Sequence, residues 1–145
     1  MQDFKLTPDM LTLGGVFYPR GYAFIMFPTA QNAELAGSEI ASQPVRQTDE
    51  KKGGENDAAS VMCLSPATVL RDIGKINGES DVALPSVGTE GATVRKYVDL
   101  ARQGHHALMV RVSSDEEAER LMMVARREHF SYAQRYHLLA IEDLE

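Results

Sequence analysis

Most of the residues and runs that announce a function are scarce in this sequence. It holds one cysteine, Cys63, so an internal disulfide is excluded. A free cysteine inside an apolar run such as Val61-Met62-Cys63-Leu64 reads as a small buried hydrophobe. No apolar stretch approaches the ~20 residues that cross a bilayer. The opening residues, Met1-Gln2-Asp3-Phe4-Lys5, carry neither the basic region nor the apolar core of a signal peptide. The expectation is a reduced, cytoplasmic protein with no membrane partner. Positive charge is also short: the formal net charge is -6 and the pI is near 5.2. That balance argues against nucleic acid and anionic lipid, which need basic surfaces.

Chemical motifs are missing as well. Gly14-Gly15 runs into Val16-Phe17 and not into a helix, so no phosphate-cradling loop is present. His105, His106, His129 and His137 lack the spacing of a zinc site, and each reads as structural. Adjacent His105 and His106 fall on opposite sides of a strand or turn. Cys63 has no activating neighbour in sequence. The basic pairs Lys51-Lys52, Arg95-Lys96 and Arg126-Arg127 sit on three separate segments. No catalytic residue, metal or cofactor is assigned, and the protein is expected not to be a metal- or nucleotide-dependent enzyme.

What is present is a pattern that occurs twice. Tyr22-Ala23-Phe24-Ile25-Met26-Phe27 is an apolar strand, followed by Pro28-Thr29 and a helix opening at Ala30. About 85 positions later Ala107-Leu108-Met109-Val110-Arg111-Val112 repeats the strand, and Ser114-Asp115-Glu116-Glu117 opens a helix with capping-box spacing. Each copy continues into a polar stretch and another apolar run, making two β-α-β units. Thr29 and Ser114 are expected N-caps. Ser65-Pro66 opens a short helix in the connection. Val94, Tyr97, Val98 and Ala101 stripe a further helix that Gly104 ends. Leu11-Thr12-Leu13 through Pro19 suggests an extended arm or edge strand.

The expected organisation is a single α+β domain over 1-145. It comprises an N-terminal arm (1-21), a first unit (22-64) holding a polar loop (44-60), a helical connection (65-104) and a second unit (105-145). Two such units most naturally give a ferredoxin-like sandwich: a four-stranded antiparallel sheet with helices on one face.

That arrangement leaves one sheet face bare. If Ala23, Ile25, Phe27, Leu108, Val110 and Val112 face the helices, strand alternation places Tyr22, Phe24, Met26, Met109 and Arg111 on the other side. The closing strand, within Tyr132 to Ile141, adds either Tyr136 with Leu138 or His137 with Leu139. A bare apolar face of this size calls for a partner. A homodimer packed sheet to sheet is one reading, and a small-molecule pocket against that face is another. Stacked single-stranded RNA is a third, against which stand the acidic charge and the missing Lys/Arg-Gly-aromatic run on the second strand.

The run Val112-Ser113-Ser114-Asp115-Glu116-Glu117-Ala118-Glu119, with Thr29-Ala30-Gln31-Asn32-Ala33-Glu34 after the first strand, resembles bacterial heat-induced general-stress proteins of the YflT type. The resemblance covers about half of the chain. It implies a strand-helix-strand domain and a stress-related setting, and carries over no functional residue. The sequence therefore predicts a non-enzymatic binding or assembly domain acting through its sheet face. The alternative is a small-ligand sensor or enzyme of the dimeric α+β barrel type, with Tyr22, Phe24, Met26, Met109, Arg111 and His137 as the ligand or dimer face.

Overall fold

A computed structural model describes residues 2-5, 10, 17-42, 61-74, 88-137 and 141-144. The polar loop expected over 44-60 lies outside these residues, as do 11-16, 75-87, Leu138 and Leu139.

The sheet is built from β1 (Gln2-Asp3), β2 (Tyr22-Phe27), β3 (Val61-Leu64), β4 (His106-Arg111), β5 (Tyr132-Tyr136) and β6 (Ile141-Asp143). Its strand order is β1-β3-β4-β2-β5-β6. Five of the six strands pair antiparallel, and β1 adds to β3 in parallel. The sheet is thus wider than the four strands expected. The run read as one closing strand forms β5 and β6 as an antiparallel pair, with Tyr136 opposite Ile141.

Two helices lie on one face: α1 (Ala30-Ala41) and α4 (Asp115-Arg127). Their starts follow from the caps. Thr29 Oγ1 accepts from the Asn32 amide at 3.0 Å, and Ser114 Oγ accepts from the Glu117 amide at 3.1 Å. Glu117 Oε1 in turn accepts from the Ser113 amide at 2.9 Å, one residue outside the usual capping box. Ala33 and Ala36 of α1 and Ala118, Leu121, Met122 and Ala125 of α4 pack on Ala23, Ile25, Phe27, Leu108, Val110 and Val112. That is the face the alternation assigned to the helices.

The opposite face is not bare, and the expectation of helices on one face only is corrected here. Helix α3 (Gly88-Arg102) lies across it, together with Val69 and Ile73 of the π-helical turn Val69-Ile73, which continues the short α2 (Pro66-Thr68), and with Phe17 and Tyr18. Val94, Tyr97, Leu100 and Ala101 of α3 form one apolar core with Phe24, Met26, Met109 and Tyr136. The Tyr97 ring stacks on Phe24 with centroids 4.0 Å apart. Phe17 meets Phe24, Tyr97 and Tyr136 edge to face. Burial of this kind removes the penalty that an exposed apolar face would carry in water. Gly104, at φ +93, then turns the chain from α3 into β4.

Candidate functional site

The six residues expected to make a ligand or dimer face do not share an exposed surface. Phe24, Met26 and Met109 are fully buried beneath α3. Tyr22 is partly buried, and the guanidinium of Arg111, its cross-strand partner, sits 5.3 Å from its ring centroid. His137 follows β5 and pairs with Glu142 at 2.8 Å. Of the alternatives on the closing strand, Tyr136 joins the second core, where its hydroxyl meets that of Tyr97 at 2.6 Å.

A cavity of about 400 Å³ opens elsewhere, where β3 leaves the sheet and β4 enters it. Five short pieces of chain build it. Asp3 and Phe4 come from the end of β1, held because Asp3 sits beside Cys63 in register and the Phe4 amide donates to the Cys63 carbonyl at 3.1 Å. Ala30, Ala33 and Glu34 come from the first turns of α1. Cys63, Leu64 and Ser65 come from β3 and its exit, while His106 and Ala107 begin β4. The last pair is Thr68 and Arg71.

The segment from Ser65 to Gly74 shows how sequence shapes this wall. Ser65 Oγ accepts from the Thr68 amide at 3.1 Å with Pro66 in the first helical turn, so the chain folds back into a helix at once. It then widens into a π turn, with the Gly74 amide bonding the Val69 carbonyl at 2.9 Å. A β-carbon at residue 74 would lie 2.8 Å from the Leu70 carbonyl oxygen, which explains the glycine. Single π turns are frequent at functional sites, and this one carries Arg71 onto the cavity. The guanidinium is closed on its neighbour Asp72 by two hydrogen bonds, of 2.9 and 3.1 Å.

Cys63 and His106 share the cavity, yet their surroundings do not make a nucleophile. The thiol contacts Asp3 Oδ1 at 3.7 Å. Partial burial, and after it the Asp3 carboxylate, push the Cys63 thiol above its ordinary value, so it stays protonated at neutral pH. His106 lines the cavity, and its Nδ1 is buried without a hydrogen-bond partner. Its neighbour His105 bonds Ser131 Oγ at 2.8 Å, and desolvation lowers its pKa. Among the described residues no group of three His, Cys, Asp or Glu side chains is placed to hold a metal ion.

The state of the thiol is directly testable. Iodoacetamide should alkylate Cys63 more slowly than a model thiol at pH 8. Asp3→Asn should move the midpoint of the rate-against-pH curve downward, because the carboxylate that disfavours the thiolate is gone. An unchanged midpoint would show that Asp3 does not govern the thiol.

Sequence reading singled out Cys63 as inert and Ser65 as a cap, and did not place either beside Asp3, Glu34, Arg71 or His106. These residues are scattered from position 3 to 106, and no local spacing joins them. The run of Pro66, Gly74 and a short apolar stripe was the nearest signal of an irregular helix.

Fold and site together define a class: an α+β protein whose antiparallel sheet is covered on both faces and carries a polar-lined cavity at one end. No protein-family model, curated protein or solved structure matches this sequence. None of the described helices is long and apolar enough to cross a membrane.

Proposed function

We propose that this protein is a non-enzymatic binding domain that takes a small organic molecule into the cavity between α1 and the β3-β4 end of the sheet. The cavity itself is the observation that carries this reading. Its volume of about 400 Å³ falls in the range of sites for small ligands, and its lining sets Phe4, Leu64 and Ala107 beside convergent polar side chains from five pieces of chain. A protonated thiol beside a carboxylate supports binding over covalent chemistry.

The scaffold we read as a ferredoxin-like core with additions. In support, β2, β3, β4 and β5 follow the order β3-β4-β2-β5, all antiparallel, with α1 and α4 on the same face. The long connection containing α3 is then an insertion, and β1 and β6 extend the edges. Self-association remains a proposal without a face, because the sheet surface first expected to serve it is occupied by α3. Leu35 and Met123 are the large apolar side chains left exposed among the described residues, and two such residues are ordinary surface. A stress-related role has only the helix-opening pattern after β2 and β4 behind it.

A thermal-shift screen of small metabolite-sized compounds tests the cavity. A ligand at 100-fold its dissociation constant adds about 2.7 kcal/mol to stability. For a chain of this size that is a rise of roughly 5-10 °C. Ala30→Trp, at an exposed position on the rim, should leave the melting temperature of the free protein unchanged and abolish the ligand shift. Shifts that survive in that variant would remove the cavity from the function.

A further inference from the structure

We infer that His106 anchors the ligand of this cavity by donating a hydrogen bond from Nε2 to a carbonyl oxygen on an uncharged molecule with an apolar body. The inference rests on the cavity reading above and adds the anchor and the chemistry of the occupant. His106 opens β4 opposite Phe27, and the next residue, Ala107, pairs with Leu64 of β3, so strands on both sides hold this stretch of backbone. The residue lines the cavity, and its Nδ1 is sealed from solvent with no partner. Its Nε2 is not sealed, and among the described residues nothing bonds it.

A neutral imidazole has one N–H and one lone pair to distribute over these two atoms. A buried N–H without an acceptor is the arrangement that folded proteins most strictly avoid. The proton therefore belongs on Nε2, where water or a ligand in the cavity accepts it, and the lone pair belongs on the sealed side. His106 thus offers the cavity a donor, and the partner a donor selects is an acceptor. Its neighbour His105 is different, because there Nδ1 is engaged by Ser131 Oγ.

Charge on the lining does not call for a charged ligand. Asp3 and Glu34 bring two carboxylates, and Arg71 is already closed on Asp72. The N-terminal ammonium acts on Cys63 with the opposite sign to Asp3. An anion entering here meets two carboxylates and an engaged guanidinium, while a cation meets the ammonium and the imidazole N–H. A neutral acceptor meets neither penalty. Phe4, Leu64 and Ala107 line the cavity and also belong to the core beneath α3, so one wall is apolar. A ketone or amide carbonyl on a hydrocarbon body fits the donor and that wall together.

The test runs on the whole chain at pH 8, above the ordinary histidine range. Nitrogen-15 NMR of the free protein should show the proton of His106 on Nε2. Four probes of similar size follow by calorimetry: acetophenone, ethylbenzene, benzoate and benzylamine. Acetophenone should bind most tightly and shift the Nε2 resonance of His106 while leaving His129 and His137 unmoved. His106→Phe should weaken acetophenone about fivefold, the scale of one hydrogen bond, and leave ethylbenzene unchanged. His106→Gln, whose amide nitrogen takes the place of Nε2, should retain the affinity.

The outcomes separate this inference from the cavity reading. The proton found on Nδ1 overturns the inference before any ligand is added. So does acetophenone that fails to bind at 10 mM, binds no better than ethylbenzene, or is indifferent to His106→Phe. Benzoate or benzylamine binding best, with loss in Ala30→Trp, overturns the neutral acceptor and keeps the cavity. Acetophenone binding that survives in Ala30→Trp overturns the cavity reading itself.

Discussion

Phe24→Glu should abolish folding. Phe24 has no solvent-exposed surface, stacks on Tyr97 and meets Phe17 edge to face at 5.8 Å. Truncating a buried phenylalanine costs about 3-5 kcal/mol. A carboxylate in its place adds the cost of a buried, unpaired charge. Domains of this size have about 5-15 kcal/mol in total. The strand pattern alone leads to the opposite expectation, that Glu at 24 and 109 would give a folded monomer by breaking a dimer face. Circular dichroism of the purified variant decides between them. A cooperative melt near the wild-type temperature would mean that α3 does not cover this face.

Tyr97 and Tyr136 should show strong energetic coupling. Tyr97 is fully buried, and the hydroxyl of Tyr136, 2.6 Å away, is its hydrogen-bond partner. Removing that partner with Tyr136→Phe leaves the Tyr97 hydroxyl in the core with nothing to bond. Such a group costs about 1-3 kcal/mol. Removing both hydroxyls takes away the unsatisfied group, so the double variant should lose less than the two single losses added together. Urea denaturation of the four proteins measures the difference, and additive losses would deny the bond.

The same pair sets a limit in alkali. Burial first, and the neighbouring Tyr136 second, raise the Tyr97 phenol well above its ordinary value of 10.0. The folded state then holds a proton that the unfolded chain releases, so this stability is complete below about pH 10 and is lost as pH rises through the folded value. Replacing both tyrosines by phenylalanine should flatten the fall in stability above pH 10.

The parts of this fold that lie within one stretch of chain were readable. Thr29, Ser65 and Ser114 announced three helix starts by side-chain chemistry that acts over three residues. Alternation in β2 and β4 assigned Ile25 and Val110 to the α1-α4 face, because period two needs no knowledge of partners. The stripe Val94, Tyr97, Val98 and Ala101 likewise announced α3. Periodicity says that a helix has an apolar side, though not which surface will receive it. The layer over Phe24 and Met109 therefore stayed hidden. The cavity was less visible still: Asp3, Glu34, Arg71 and His106 meet through register and strand order, neither of which is written in any one segment.

The strand order has a consequence for how the chain assembles. Among the described strands, β5 and β6 alone pair across a short connection; β3 and β4 are consecutive but pair across about 40 residues that include α3, β2 must find β4 roughly 80 to 90 residues away, and β1 must find β3 about 60 away. Each of those pairings closes a long loop before any contact rewards it, and loop-closure entropy slows the search. Helices α1 and α4 can flicker in early, but they have no surface to bury until β2 and β4 have joined. Refolding should accordingly take milliseconds to seconds, as sheet-dominated topologies do. Substitutions in the β2-β4 pair should slow it more than equally destabilising ones in α3.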